Sequence, residues 1–546
     1  MSLSSLPPGS DDATDVVSHS VLVNGSPLSG EIGISHIVVN KSFNKVAFAK
    51  LVFLDGSVSD RDFPLSNEDT LKPGNDITIQ LGYHGQVETV FSGIIVKHAI
   101  KARQQGPSLL LVEAKDKAVT LTGARKSAYF INKTDSEAIS ELAANLQMDI
   151  ESTTLSHKQL VQFDATDWDF ICTRAELNSM LVLTDDGKLV VKKPSTGGSP
   201  VFSATYGANI IEFEAEMDAL RQAEQITSHS WDYTRQQLEE SDSGTASFTE
   251  TGNLSSGDLG GVMGKQVSLS HPGHLTQDQL QEWSNACALR NQLSKAVGRV
   301  RVEGNAAIKP GAMVTLAGVG ERFNGNVFVT GVLHTFDGNW LTDIQFGWKE
   351  EWFSSKESVM DKPASGLLPG INGLQIGTVL DTNDSEDGGQ YRVKVHVPTI
   401  TSGNEGFWAR VATLDAGPDR GVYFRPQPND EVVLGFLGDD PREPIILGYL
   451  HSKSSKESPL PEDPGAEQYG FVTKEGLKLI FDDSGQKMSL IVSAGTGEKS
   501  IVINDSSGAM ELKDENQNSI KMNAQGITIQ SNSGTVTIRG TQVMIN

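Results

Sequence analysis

The chain holds 546 residues with a formal net charge of -24 at pH 7, 54 glycines, 38% hydrophobic residues and two cysteines. That acidity argues against a phosphate-tracking surface, since nucleic-acid affinity rests on Lys and Arg neutralising backbone phosphates. The length calls for three or four domains. Abundant glycine with moderate hydrophobicity fits a mainly β protein rich in tight turns. Cys172 and Cys287 stand far apart and outside any CxxC spacing, so they define neither a disulfide framework nor a zinc cluster and read as buried thiols.

The first residues, rich in Ser and Asp, lack the basic start and apolar run of a signal peptide, and 1–17 reads as a flexible N-terminus. No apolar stretch reaches the roughly twenty residues of a membrane helix. A duplication then organises the first 350 residues. LKPGNDITIQLGYHGQVETVFSGIIVKHAI (71–100) and IKPGAMVTLAGVGERFNGNVFVTGVLHTF (308–336) share Lys-Pro-Gly, an alternating strand, a Gly-containing turn, an apolar strand and a histidine. With one gap His98 falls on His334. The alternation of Ile77, Ile79 and Leu81, and of Val314 and Leu316, predicts half-buried strands of two similar small barrels, at 18–125 and 231–360. One histidine per barrel without acidic or cysteine partners reads as structural, not metal-binding.

The intervening 126–230 carries αβ signals. Thr134 with Glu137, and Thr166 with Asp169, predict capped helices before Ile139, Leu142 and Leu146 and before Ile171 and Ala175. A third helix begins near Thr276, inside the second barrel region, and is expected to bury Leu280, Trp283 and Cys287.

DKPASGLLPG reads as a linker over 361–371. Short strands follow at 376–380, 391–397, 407–411, 421–425, 431–436 and 445–450, which suit an OB-fold over 372–452. Three motifs stand there in order: Trp408-Ala409-Arg410-Val411, the Pro-x-x-x-Asp-Glu-Val of Pro426 to Val432, and Gly438-Asp439-Asp440-Pro441 before the closing strand. In these the chain resembles the OB domain of VgrG proteins and of the baseplate spikes of contractile phages, and the duplicated N-terminal barrels resemble that family's tube-docking hub. Twelve acidic against six basic residues over 371–452 deny the OB barrel a nucleic-acid footprint. Trp408 and Tyr391 read as core or subunit-contact residues, and Gly438 to Pro441 as a polar turn rather than a calcium loop.

After a linker at 453–468, the segment 469–546 repeats a short alternating strand and a polar turn every seven to eleven residues. Its apolar pairs are Leu479 and Phe481, Leu490 and Val492, Ile501 and Ile503, Met510 and Leu512, Ile520 and Met522, Ile527 and Ile529, Val536 and Ile538, and Val543 and Ile545. Strands with so few inward side chains cannot close a core alone and must stack on neighbours. Three chains wound into a triangular β-prism would share one, and the pairs from Ile501 to Ile538 are its expected core; a single-chain β-solenoid is the alternative. The trimeric prism directly after an OB domain is also what the resemblance implies.

No HExxH, Gly-x-Ser-x-Gly, P-loop or Rossmann fingerprint is present. Between the OB domain and the prism, 452–468 is too short for the lysozyme domain of some phage relatives, and the ending TQVMIN lacks the His-x-His tip of others. The resemblance therefore implies a structural homotrimer without enzyme activity or cofactor. It would seat through its hub on a hexameric inner tube and baseplate components, and carry a PAAR-type tip protein at Val543, Met544, Ile545 and Asn546. It would meet membranes only by transient piercing, and be assembled in the bacterial cytoplasm before delivery or release in a contractile particle. An extracellular trimeric fibre or adhesin, and a spike with a cell-wall hydrolase role, are the alternatives.

Overall fold

A computed structural model describes residues 16–356, 359, 362–385, 390–403, 405–452, 458–460, 467–493 and 497–545. Most of the 1–17 terminus and of the 453–468 linker, together with Asn546, lies outside the described residues. The chain forms two compact units, Met1–Asp361 and Lys362–Asn546. Among the described residues no helix is long and apolar enough to cross a membrane.

In the first unit the duplication appears as two hairpins, Asp76–Tyr83 with Gln86–Lys101 and Met313–Ala317 with Gly325–Phe336, each followed by an antiparallel neighbour. Alternation sets the burial: Ile77, Ile79 and Leu81 fill one core with Phe53 and Phe91, while Val314 and Leu316 fill a second with Val329 and Phe346. The two cores do not sit in separate sheets. Gly325–Phe336 pairs with Ile34–Ser42, joining both halves into one sheet of thirteen strands. Phe202–Thr205 and Glu212–Met217, from the region expected to intervene, belong to this sheet, and Phe202 and Ala204 help close the second core.

The hydrogen bonds also correct the pairing of the two histidines. Gly74 N–H donates to Ile95 O, and Gly311 N–H to Val329 O. A β-bulge follows each acceptor. Ile95 and Val329 are therefore equivalent, and His334 lies two residues further along its strand than His98. His98 bonds Ser66 Oγ at 2.8 Å and Leu71 O at 2.9 Å. His334 is buried beside Thr342 Oγ1 at 3.0 Å. Each bonds neighbours within its own half.

The helices start where the caps place them, at Asp135–Leu142, Asp167–Leu177 and Gln277–Ser294, after Thr134, Thr166 and Thr276. The last buries Leu280 but leaves Trp283 and Cys287 half-buried, because it turns Ser284 and Leu289 inward instead. Cys172 is fully buried. A further helix, Ser256–Met263, is closed by a Ser255–Asp258 capping box.

In the second unit five strands close a barrel in the order Gln375–Asp381, Val393–His396, Phe407–Val411, Pro444–Tyr449, Glu431–Phe436. Parallel pairing of Phe407–Val411 with Pro444–Tyr449 completes the OB-fold. Val395, Leu434 and Ile446 are wholly buried in it. Trp408 and Tyr391 are not core residues: Trp408 is half-buried with the Arg392 guanidinium 6.0 Å from its ring, and Tyr391 points to solvent. The strand expected at 421–425 is only a bridge of Arg420–Gly421 with Ala416–Gly417.

Candidate interaction surface

From Gln468 to Gln530 the chain runs as a meander of seven antiparallel strands. Asn and Asp turns with left-handed residues, such as Gln486 and Gly508, keep each connection short. Because strands of period two are paired directly, side chains opposite each other share a face. The register lines up two rows across the sheet. One runs Phe471, Leu479, Leu490, Ile501, Leu512, Ile520, Ile529, and the other Tyr469, Phe481, Met488, Ile503, Met510, Met522, Ile527.

Every predicted prism-core residue from Ile501 to Ile529 falls on one of these rows. Every residue in them is apolar or aromatic. The opposite face is mixed: it carries Ser489, Glu511 and Lys521, with Glu511 directly across from Lys521, beside Ile480, Ile491 and Val502. In the single chain no apolar side chain of this sheet is buried. Exposure along the rows reaches 38% at Ile503 and 70% at Ile527, against 0% for the OB core residues named above. A contiguous apolar face of this length on an otherwise acidic protein is a contact surface, since soluble monomers rarely expose patches beyond a few hundred Å2.

Val536 and Ile538 lie beyond the last strand and so outside the rows, although they too are exposed. Val543, Met544 and Ile545 are exposed without strand structure. Asn546 is outside the described residues.

Three polar clusters elsewhere are paired internally. Burial alone would raise the pKa of Asp135, but hydrogen bonds from His157, Arg174 and Asn178 hold it well below the usual carboxylate range. Lys41 is buried between Asp185 and Asp186 at 3.0 and 2.8 Å. In the Gly438 to Pro441 turn, Asp440 is held by Arg442, whose hydrogen bonds lower its pKa to about 2. Among the described residues no group of three or more His, Cys, Asp or Glu could hold a metal ion.

Three family models match the chain. Residues 375–451 match the type VI secretion system/phage-baseplate injector OB domain, and 490–546 the phage baseplate V C-terminal trimerisation domain. The barrel and the apolar rows are thus those of a VgrG-like spike protein of phage-tail-like systems. A third model, the Alg8 N-terminal domain, matches residues 13–337, more than half of the chain, and the chain belongs to that family.

Among curated proteins the chain is similar to the actin cross-linking toxin VgrG1 of Vibrio cholerae serotype O1, 30% identical over 149 residues. It is also similar to the type VI secretion system spike protein VgrG3 of the same species, 31% identical over 136 residues. These alignments cover 25% and 23% of this chain and 13% of each relative. Among solved structures, the 43 kDa tail protein of prophage MuSo2 from Shewanella oneidensis is 13% identical, with a TM-score of 0.45, over 60% of this chain and 95% of that one.

Proposed function

We propose that the chain is a homotrimeric spike at the front of the inner tube of a contractile injection system. Two uncovered apolar rows per chain carry this reading. Three copies facing one axis would bury them together, at about 1.5 to 3 kcal/mol for each fully buried Val, Leu or Ile. The result is a needle stiff enough to transmit the force of contraction. Two equivalent hairpins per chain, taken three times, give six similar modules, which would seat a three-fold spike on a six-fold tube and its baseplate. At the far end the exposed Val543, Met544 and Ile545, with Asn546, are the proposed seat of a PAAR-type tip.

The work is mechanical: piercing the target envelope in passing, with no catalytic step and no cofactor. Assembly in the bacterial cytoplasm before delivery belongs to the same proposal. Electron microscopy of particles bearing a gold-labelled tag on this chain tests the placement. Label at the front end of the tube is expected; label along the sheath or on lateral fibres would favour the adhesin reading instead.

A further inference from the structure

The OB barrel carries a second apolar surface. Between Phe407–Val411 and Glu431–Phe436 the chain folds into a hairpin fastened from within. Val422 N–H donates to Asp415 O at 2.9 Å, the Thr413 hydroxyl donates to Val422 O, and Arg420 grips the Asp415 carboxylate. A loop fixed this way would be expected to turn its apolar side chains inward. Instead Leu414 is 89% exposed and Tyr423 71%. Beside them an open recess of about 1190 Å3 reaches Tyr391 and Tyr449, a shape that accepts side chains from another molecule.

Phe424 indicates what that molecule is. Its ring stacks on Phe471 with centroids 5.4 Å apart, and its carbonyl accepts from the Tyr449 hydroxyl at 3.1 Å. Phe471 faces Leu479 in register and so heads one of the two apolar rows. The hairpin is therefore continuous with the apolar face whose later strands, from residue 490 on, lie in the match to a trimerisation domain. We propose that it extends the contact between copies of this chain up to the OB barrel, with Leu414 and Tyr423 packing against the neighbouring protomer. The occupant is a second copy, and the proposal rests on the trimer reading.

The test places photoreactive p-benzoylphenylalanine at Leu414 in the full chain, with the same residue at exposed Asp337 as control, followed by irradiation and denaturing mass analysis. Covalent multiples of the chain from the Leu414 site, and none from the control, are expected. A sample that is trimeric by light scattering but gives no cross-link at Leu414 overturns the proposal and leaves the prism reading standing. A monomeric sample overturns both. As a second variant, Tyr423→Glu should weaken the trimer roughly tenfold or more, the change made by about 1.4 kcal/mol; unchanged dissociation would contradict the contact.

Discussion

The amide of Gly311 donates to the carbonyl of Val329 at 2.8 Å, and Val329 N–H answers by donating to Ala312 O at 2.9 Å. Gly74, Asn75 and Ile95 repeat the exchange at the same distances in the first half. Both glycines hold positive φ, 92° and 100°, and an added Cβ would meet nothing closer than Phe43 Cζ at 3.7 Å. The cost of a side chain is therefore backbone conformation alone. Gly74→Ala and Gly311→Ala should each destabilise the first unit by about 1 to 2 kcal/mol, read as a fall in urea midpoint by tryptophan fluorescence. A neutral Gly311→Ala would show that the turn does not anchor its strand.

The two faces of the C-terminal sheet should respond oppositely to substitution. Ile501→Asp puts a charge in the middle of one row and is expected to abolish assembly. Val502→Thr, on the face with Glu511 and Lys521, should change stability by less than about 1 kcal/mol. Sedimentation velocity of both variants checks this, and equal effects would mean that the rows are not the buried face.

The network around Asp135 predicts a large single-site loss. Arg174 bonds both Asp135 oxygens, at 2.6 and 3.0 Å, and its removal leaves a buried carboxylate short of its cation. Arg174→Ala should cost about 3 to 5 kcal/mol, whereas Asp135→Asn with Arg174→Gln should recover part of it. Thermal unfolding followed by circular dichroism measures both.

His334 makes the first unit acid-sensitive. Burial, aided by the charges of Lys41 and Lys309, lowers its pKa from 6.5 to about 3. Between those values the unfolded chain binds a proton that the folded one does not. Its contribution is thus complete above pH 6.5 and is lost as pH falls toward 3, by up to about 1.4 kcal/mol per unit. Denaturant titrations at pH 7 and pH 5 should show a smaller loss for His334→Gln than for the parent; equal losses would assign the sensitivity elsewhere.

Where side chains alternate or a cap is spelled out, the fold was legible in the residues. The barrel strands, the prism rows and the helices after Thr134, Thr166 and Thr276 all carry such signals. Three of the features that escaped have a plain physical reason. Ser284 is buried through hydrogen bonds with Ser228 and Ser241, so the inward face of its helix is partly polar and apolar spacing pointed to Trp283 and Cys287 instead. SGDLGGVM holds three glycines, poor helix formers, and only the Ser255–Asp258 spacing marked a helix there. Glu212–Met217 alternates Glu with Phe213 and Ala215 but is short and lies at the sheet edge, where pairing with Ala296–Glu303 depends on a partner distant in sequence.

The trimer would make the two apolar rows of each chain one third of a shared core. Its most direct test is the solution mass of the purified full chain by light scattering, beside a version truncated after Pro461. About three times the chain mass of 58.7 kDa is expected for the full chain, with weakened or lost assembly on truncation. A full chain that stays monomeric at micromolar concentration, with its rows exposed, would contradict it.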